Sequence, residues 1–168
     1  MWSKSTTNVT VLALYPTTRG YAFTLFDGPL SPYDWGIKDV PRKSRIADVL
    51  DDLETLIERY HPDVLVIEDS DQIGFRRPTR TRSLYFAVRN LAELRGVSVR
   101  AVSKDEIRNA FDRFGAKTKN QIAIVIAREI AAFAHLIPKP RRAWMSETRR
   151  QGLFDAATLG LTYYSIVE

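Results

Sequence analysis

The hydrophobic pattern changes period several times along this chain. Residues 9–15 (VTVLALY) are an unbroken apolar and β-branched run, which predicts a buried strand. Pro16 and Gly20 punctuate a turn, and residues 21–26 (YAFTLF) predict a second strand. Asp27-Gly28 is a further turn signal, and the two runs are expected to pair as a hairpin. Residues 34–39 (DWGIKD) add a short third strand. From residue 43 to residue 60 the period becomes helical. Ile46, Val49, Leu50, Leu53, Leu56, Ile57 and Tyr60 recur at steps of three and four and share one face, and Pro62 stops the helix. Residues 63–68 (DVLVIE) predict a buried strand that ends in acid, and residues 69–82 an arginine-rich polar loop. Leu84, Ala87, Val88, Leu91 and Leu94 give a second amphipathic helix closed by Gly96, and residues 97–102 (VSVRAV) another strand. Ser103 and Glu106 have capping-box spacing for a short helix ending near Phe111. Thr118 and Gln121 repeat that spacing before a helix with Ile122, Val125, Ile126, Ile130 and Phe133 inward. Pro138 and Pro140 bound a basic loop, and a last helix runs from about Glu147 to Ile166.

A hairpin followed by alternating helices and strands predicts an α/β domain, a mixed sheet with helices packed on its faces. The 168 residues fit one domain, 1–168, with residues 1–7 expected as a flexible N-terminal tail. Cysteine is absent, which excludes disulfides, thiol nucleophiles and thiolate zinc sites. No apolar run is long enough to span a bilayer, and the start (MWSKSTTN) lacks the apolar core of a signal peptide, so no membrane association and a cytoplasmic location are expected.

The net charge of +5 is compatible with a polyanionic partner and equally with plain solubility, so the clustering of cations matters more. Arg76, Arg77, Arg80 and Arg82 fall within seven residues, directly after the acidic strand end. Lys139, Arg141 and Arg142 precede Trp144, and Arg149 and Arg150 precede Asp155. Arginine forks match phosphate bidentately. Lys117 and Lys119, at a helix start, are further candidates for phosphate. Trp35 and Trp144 offer rings for base stacking or for lining a core or cleft. His61 and His135 have no second histidine at ligand spacing and read as structural.

Two acids stand in apolar surroundings. Glu68 ends a buried strand in IEDSD, and ligands of open α/β sheets gather at the carboxyl ends of strands. Asp155 lies in FDAATLGL, where an unpaired carboxylate is costly. It must pair with an arginine such as Arg149 or Arg150, or face a metal or a cleft. If both acids converge, their hard oxygens suit magnesium or manganese, the ions nucleases use to activate water on a phosphodiester.

The order of these features resembles the RuvC family of Holliday-junction resolvases, in the ribonuclease H-like superfamily, from residue 9 to residue 166. VLALYPTTRGYAFTLF is similar to that family's first hairpin, DVLVIE to the strand bearing its second acid, GAKTKNQIAIVIA to its lysine-bearing helix entry, and FDAATLGLT to its last helix. The resemblance implies a ribonuclease H-like mixed sheet with helices on both faces. It also implies a four-acid site holding two magnesium ions that cleaves DNA as a homodimer. Carried over residue by residue, Glu68 matches the second acid and Asp155 the last. The first acid falls at Tyr15, and the partner of Asp155 falls at Gly152. If Asp155 is instead the third acid, the fourth falls at Thr158. Either way two of the four positions lack a carboxylate, and Glu147 and Asp71 are the candidate replacements. A tyrosine is neutral near pH 7 and a poor magnesium ligand.

The expectation is a RuvC-like protein that binds branched or duplex DNA, with weak or lost metal-dependent cleavage. An active Mg²⁺- or Mn²⁺-dependent endonuclease, with Glu68, Asp155 and Glu147 as its acids, is the alternative. A scaffold that binds no nucleic acid is the remainder. An actin-like sugar kinase shares the core topology but needs two related domains and more than the 8 glycines present.

Overall fold

The computed structural model describes residues 2, 9–70, 79–138 and 149–167. Five strands form one sheet in the order β3-β2-β1-β4-β5. β1 (Val11–Pro16) and β2 (Gly20–Phe26) make the expected antiparallel hairpin. β3 (Pro32–Asp39) extends it and is longer than residues 34–39. β4 (Val64–Glu68) and β5 (Ser98–Val102) run parallel to β1 on its other side, so the sheet is mixed.

Side-chain alternation divides the core in two. Leu12, Leu14, Leu65 and Ile67 face a layer that includes Leu53, Leu84 and Val88. These come from α1 (Arg45–Tyr60) and α2 (Thr79–Leu94). Val11, Ala13, Val64, Val66 and Val102 face the opposite layer. That layer contains α3 (Lys104–Asp112), α4 (Lys119–Glu129) and α5 (Arg149–Val167). Helices therefore cover both faces.

Helix α5 is buried at every position from Gln151 to Thr162, with small residues where backbones approach closely. At Gly160 a Cβ would lie 2.9 Å from the Phe26 ring, so the helix can sit this close to β2 only with glycine there. Trp2, inside the segment expected as a flexible tail, is packed: it is 3% exposed and its indole N–H donates to the Leu161 carbonyl at 2.9 Å.

Three expectations need correction. Helix α2 begins at Thr79, so Arg80 and Arg82 lie on its first turns and not in a loop. Leu94, expected on its inner face, is 79% exposed, because the buried face of the helix runs through Leu84, Tyr85, Val88 and Ala92, and a residue two positions after Ala92 points to the opposite side. The helix drawn through Ile130 and Phe133 stops at Glu129. Ile130 adopts an extended conformation and residues 131–136 form a 3-10 helix that still buries Phe133. A three-residue repeat serves both helix types, so periodicity alone does not register the break.

Candidate functional site

The site lies at the carboxyl end of β1 and β4. These strands are parallel neighbours, with Ala13 opposite Val66. Continuing that register by two residues brings Tyr15 level with Glu68, the last residue of β4. By alternation both lie on the sheet face that α5 covers, and Tyr15 packs against the core of that layer. Glu68 is 9% exposed, and the Tyr85 hydroxyl, from α2, donates to its Oε2 at 3.1 Å.

Asp155 reaches the same face from α5 and is 7% exposed. The sequence left two outcomes open for Asp155, an arginine partner or a metal or cleft, and among the described residues a lysine fills the cationic role. The Lys119 ammonium, at the first turn of α4, lies 3.3 Å from Asp155 Oδ2. The Gln151 amide donates to Oδ1 at 3.0 Å. Arg149 pairs instead with Asp39 at 3.3 Å. Lys119 Nζ also stands 5.6 Å from the centre of the Tyr15 ring, within range of a cation–π contact. One ammonium thus serves both Asp155 and the tyrosine at the first-acid position. The capping box of Thr118 and Gln121 fixes this helix entry, and with it where Lys119 starts.

The other two positions at which the resemblance expects acids are taken up physically. A Cβ at Gly152 would come within 2.6 Å of Thr17 Cγ2, so a methyl from the β1–β2 turn occupies the space a carboxylate would need. Thr17 is held there because its Oγ1 accepts the Gly20 N–H at 3.0 Å. Thr158 donates its hydroxyl to the Phe154 carbonyl at 2.7 Å. Among the described residues, no group of three or more histidine, aspartate or glutamate side chains can hold a metal ion. Glu68 and Asp155 remain as oxygen donors, but a tyrosine, a glycine under a threonine methyl and a lysine on Asp155 do not fit a two-magnesium cluster.

The expected phosphate contacts divide. Arg80 and Arg82 lie on the exposed first turns of α2. Arg82 lines a cleft of about 360 Å³ with Ile67, Ser70 and Arg89, beside the Glu68 strand end. Lys117 is exposed before α4, and Lys119 belongs to the acid site. Arg76, Arg77, Arg141, Arg142, Glu147, Asp71, Lys139 and Trp144 lie outside the described residues. Trp35 packs edge-on against Phe133 at 5.0 Å, a core role. The sequence reading passed over Arg42, Lys43 and Arg45, which line a second cleft with Arg80. The signal was the run PRKSR that leads into α1, three cations in four residues, far in sequence from either acid.

No family model matches the chain, and no curated protein matches it in sequence. Solved structures do match in fold. Thermus thermophilus RuvC, in complex with a Holliday junction, superposes with a TM-score of 0.70 at 18% identity, covering 95% of this chain and 94% of that one. The yeast mitochondrial Holliday junction resolvase Ydc2 gives 0.60 at 14% identity, over 95% and 80%. The fowlpox virus Holliday junction resolvase gives 0.57 at 11%, over 95% and 100%. The fold is RuvC-like, of the ribonuclease H-like class.

Proposed function

We propose that the chain is a RuvC-like protein that binds branched or duplex DNA and whose nuclease site has been converted to a lysine-neutralised one. The observation that carries this reading is the Lys119–Asp155 pair beneath the Tyr15 ring, at the sheet end where the resemblance expects the first acid. A carboxylate already neutralised by an ammonium is a poor competitor for a hydrated divalent ion. A tyrosine cannot supply the anionic bridge between two ions. The arginines on the first turns of α2, beside the Glu68 strand end, support a nucleic-acid partner, because arginine forks match phosphates.

The test is a synthetic four-way junction incubated with magnesium or manganese, with binding and cleavage followed together. The expected outcome is a stable complex with absent or very weak cleavage. Restored cleavage in Tyr15→Asp would support descent of the site from a two-metal arrangement. Robust cleavage by the native chain, abolished in Glu68→Gln, would overturn the claim of lost activity. That result favours the second reading, an active endonuclease with a rearranged acid set, for which the retention of Glu68 and Asp155 on one face is the supporting observation.

A further inference from the structure

We infer that the cleft between the first turn of α1 and the first turn of α2 is a binding site for the phosphodiester backbone of the nucleic acid. It is a second anchoring site beside the acid site. The inference rests on the reading of the chain as a nucleic-acid-binding protein.

The cleft has a volume of about 590 Å³, and its walls come from three elements. Thr17 belongs to the β1–β2 turn, Arg42, Lys43 and Arg45 to the 3-10 turn and start of α1, and Arg80 and Thr81 to α2. Among the described residues, four cations line this one space and no carboxylate does. The nearest acid of the α1 start, Asp48, is turned to the Ser44 hydroxyl, which donates to it at 2.6 Å. No ion pair engages Arg42, Lys43, Arg45 or Arg80 among the described residues. Cations on a protein surface ordinarily sit among acids of opposite sign. Four facing one concavity repel one another, and an anion relieves that repulsion.

Arg45 sharpens the case. Its Nη2 donates to the Thr18 carbonyl at 3.0 Å, which ties the guanidinium to the β1–β2 turn. Its Nε is buried with no hydrogen-bond partner. This cation is therefore partly stripped of water before any ligand arrives, and a desolvated guanidinium gains more from a nearby phosphate than a hydrated one does. Arg42 and Lys43 are exposed on the rim and free to close on a ligand.

Position decides between a polymer and a free phosphate. Thr17 lines the cleft, and the same side chain fills the space over Gly152 in the acid site, three residues before Asp155. Arg80 on this side of α2 and Arg82 on the other continue the line of charge toward the Glu68 strand end. A chain of phosphates engages both clefts at once, whereas a lone phosphate engages one.

The experiment is fluorescence anisotropy of the full chain with a labelled four-way DNA junction, titrated at several salt concentrations. Arg42→Gln/Lys43→Gln is compared with Arg108→Gln, which removes an exposed cation from α3 on the opposite face of the sheet. The double variant should bind about tenfold or more weakly. Its log–log salt slope should be shallower by about two, since each lost phosphate contact removes about 0.9. Arg108→Gln should bind within about twofold of the wild type, and melting curves should show all three folded. Salt-dependent wild-type binding that the double variant retains unchanged overturns the cleft and leaves the functional reading standing. Failure of the wild-type chain to bind DNA at low salt overturns both. Displacement of the junction by millimolar inorganic phosphate, to the extent the double variant loses, assigns the cleft to a free anion and overturns the backbone assignment.

Discussion

Lys119 is the residue on which the candidate site turns. A cation at the first position of a helix sits at the positive end of the helix dipole, an unfavourable place by a few tenths of a kcal/mol. The buried carboxylate of Asp155 at 3.3 Å compensates for it. Replacing Lys119 by methionine keeps the aliphatic length and removes the charge. The expected loss of stability is about 1–3 kcal/mol, because a buried carboxylate loses a cation. The lysine side chain is half exposed, which holds the figure well below that of a fully buried pair. Urea denaturation against Lys117→Met, which should stay within about 0.5 kcal/mol, isolates the pair. A second prediction concerns Gly152→Asp, which adds back an acid position. Its Cβ meets Thr17 Cγ2 at 2.6 Å, so the variant should lose about 1–3 kcal/mol by overpacking and gain no cleavage alone. Pairing it with Thr17→Gly should recover part of the loss in the same denaturation experiment. Glu68 and Asp155 were legible as candidates because acids are rare at apolar positions. Lys119 was legible only as a phosphate contact, because a helix-entry lysine carries no local sign of an aspartate 36 residues further on.

Among the elements, ends that carry their own chemistry could be read, and ends that depend on neighbours could not. Ser103 and Thr118 cap their helices as their spacing predicts, with Glu106 N–H and Gln121 N–H as donors at 3.1 Å. The start of α2 was lost among arginines, which neither favour nor forbid a helix, and the break at Ile130 was hidden by a repeat that continues through it. Helix α1 shows the remaining case. It ends on His61 in the left-handed conformation (φ 46°, ψ 56°), whose N–H donates to the Ile57 carbonyl at 2.9 Å. Pro62 then prevents continuation. A β-carbon in that conformation costs roughly 1–2 kcal/mol, and glycine loses about 0.5–1 of this in unfolded-state entropy. His61→Gly should therefore raise stability by up to about 1 kcal/mol, read as a higher denaturation midpoint with unchanged m-value. A lower midpoint would show that the imidazole makes a stabilising contact of its own.

At the scale of the molecule, the hairpin and the mixed sheet with helices on its faces were legible from residue 9 onward, whereas the full strand order comes from the structure. What lies before residue 9 was not legible, because a lone tryptophan in a polar segment carries no periodicity. Trp2 joins the two ends of the described chain. Its ring stacks on Phe114 at 5.3 Å and meets Phe111 edge-on at 5.2 Å, and its N–H reaches Leu161 on α5, 159 residues away. Arg113 covers the ring from outside at 5.2 Å. The indole thus locks α3 against α5, the helix that carries Asp155. Trp2→Ala removes a large buried ring and leaves the Leu161 carbonyl without its indole donor, so the loss should be about 3–5 kcal/mol. For a chain of this size that lowers the melting temperature by about 6–20 °C. Trp2→Phe keeps most of the ring area and loses the donor, and should fall between. If Trp2→Ala melts within about a degree of the wild type, Trp2 adds nothing to the α3–α5 layer. If it melts as expected and also loosens junction binding, Trp2 supports the site through the helix it holds in place.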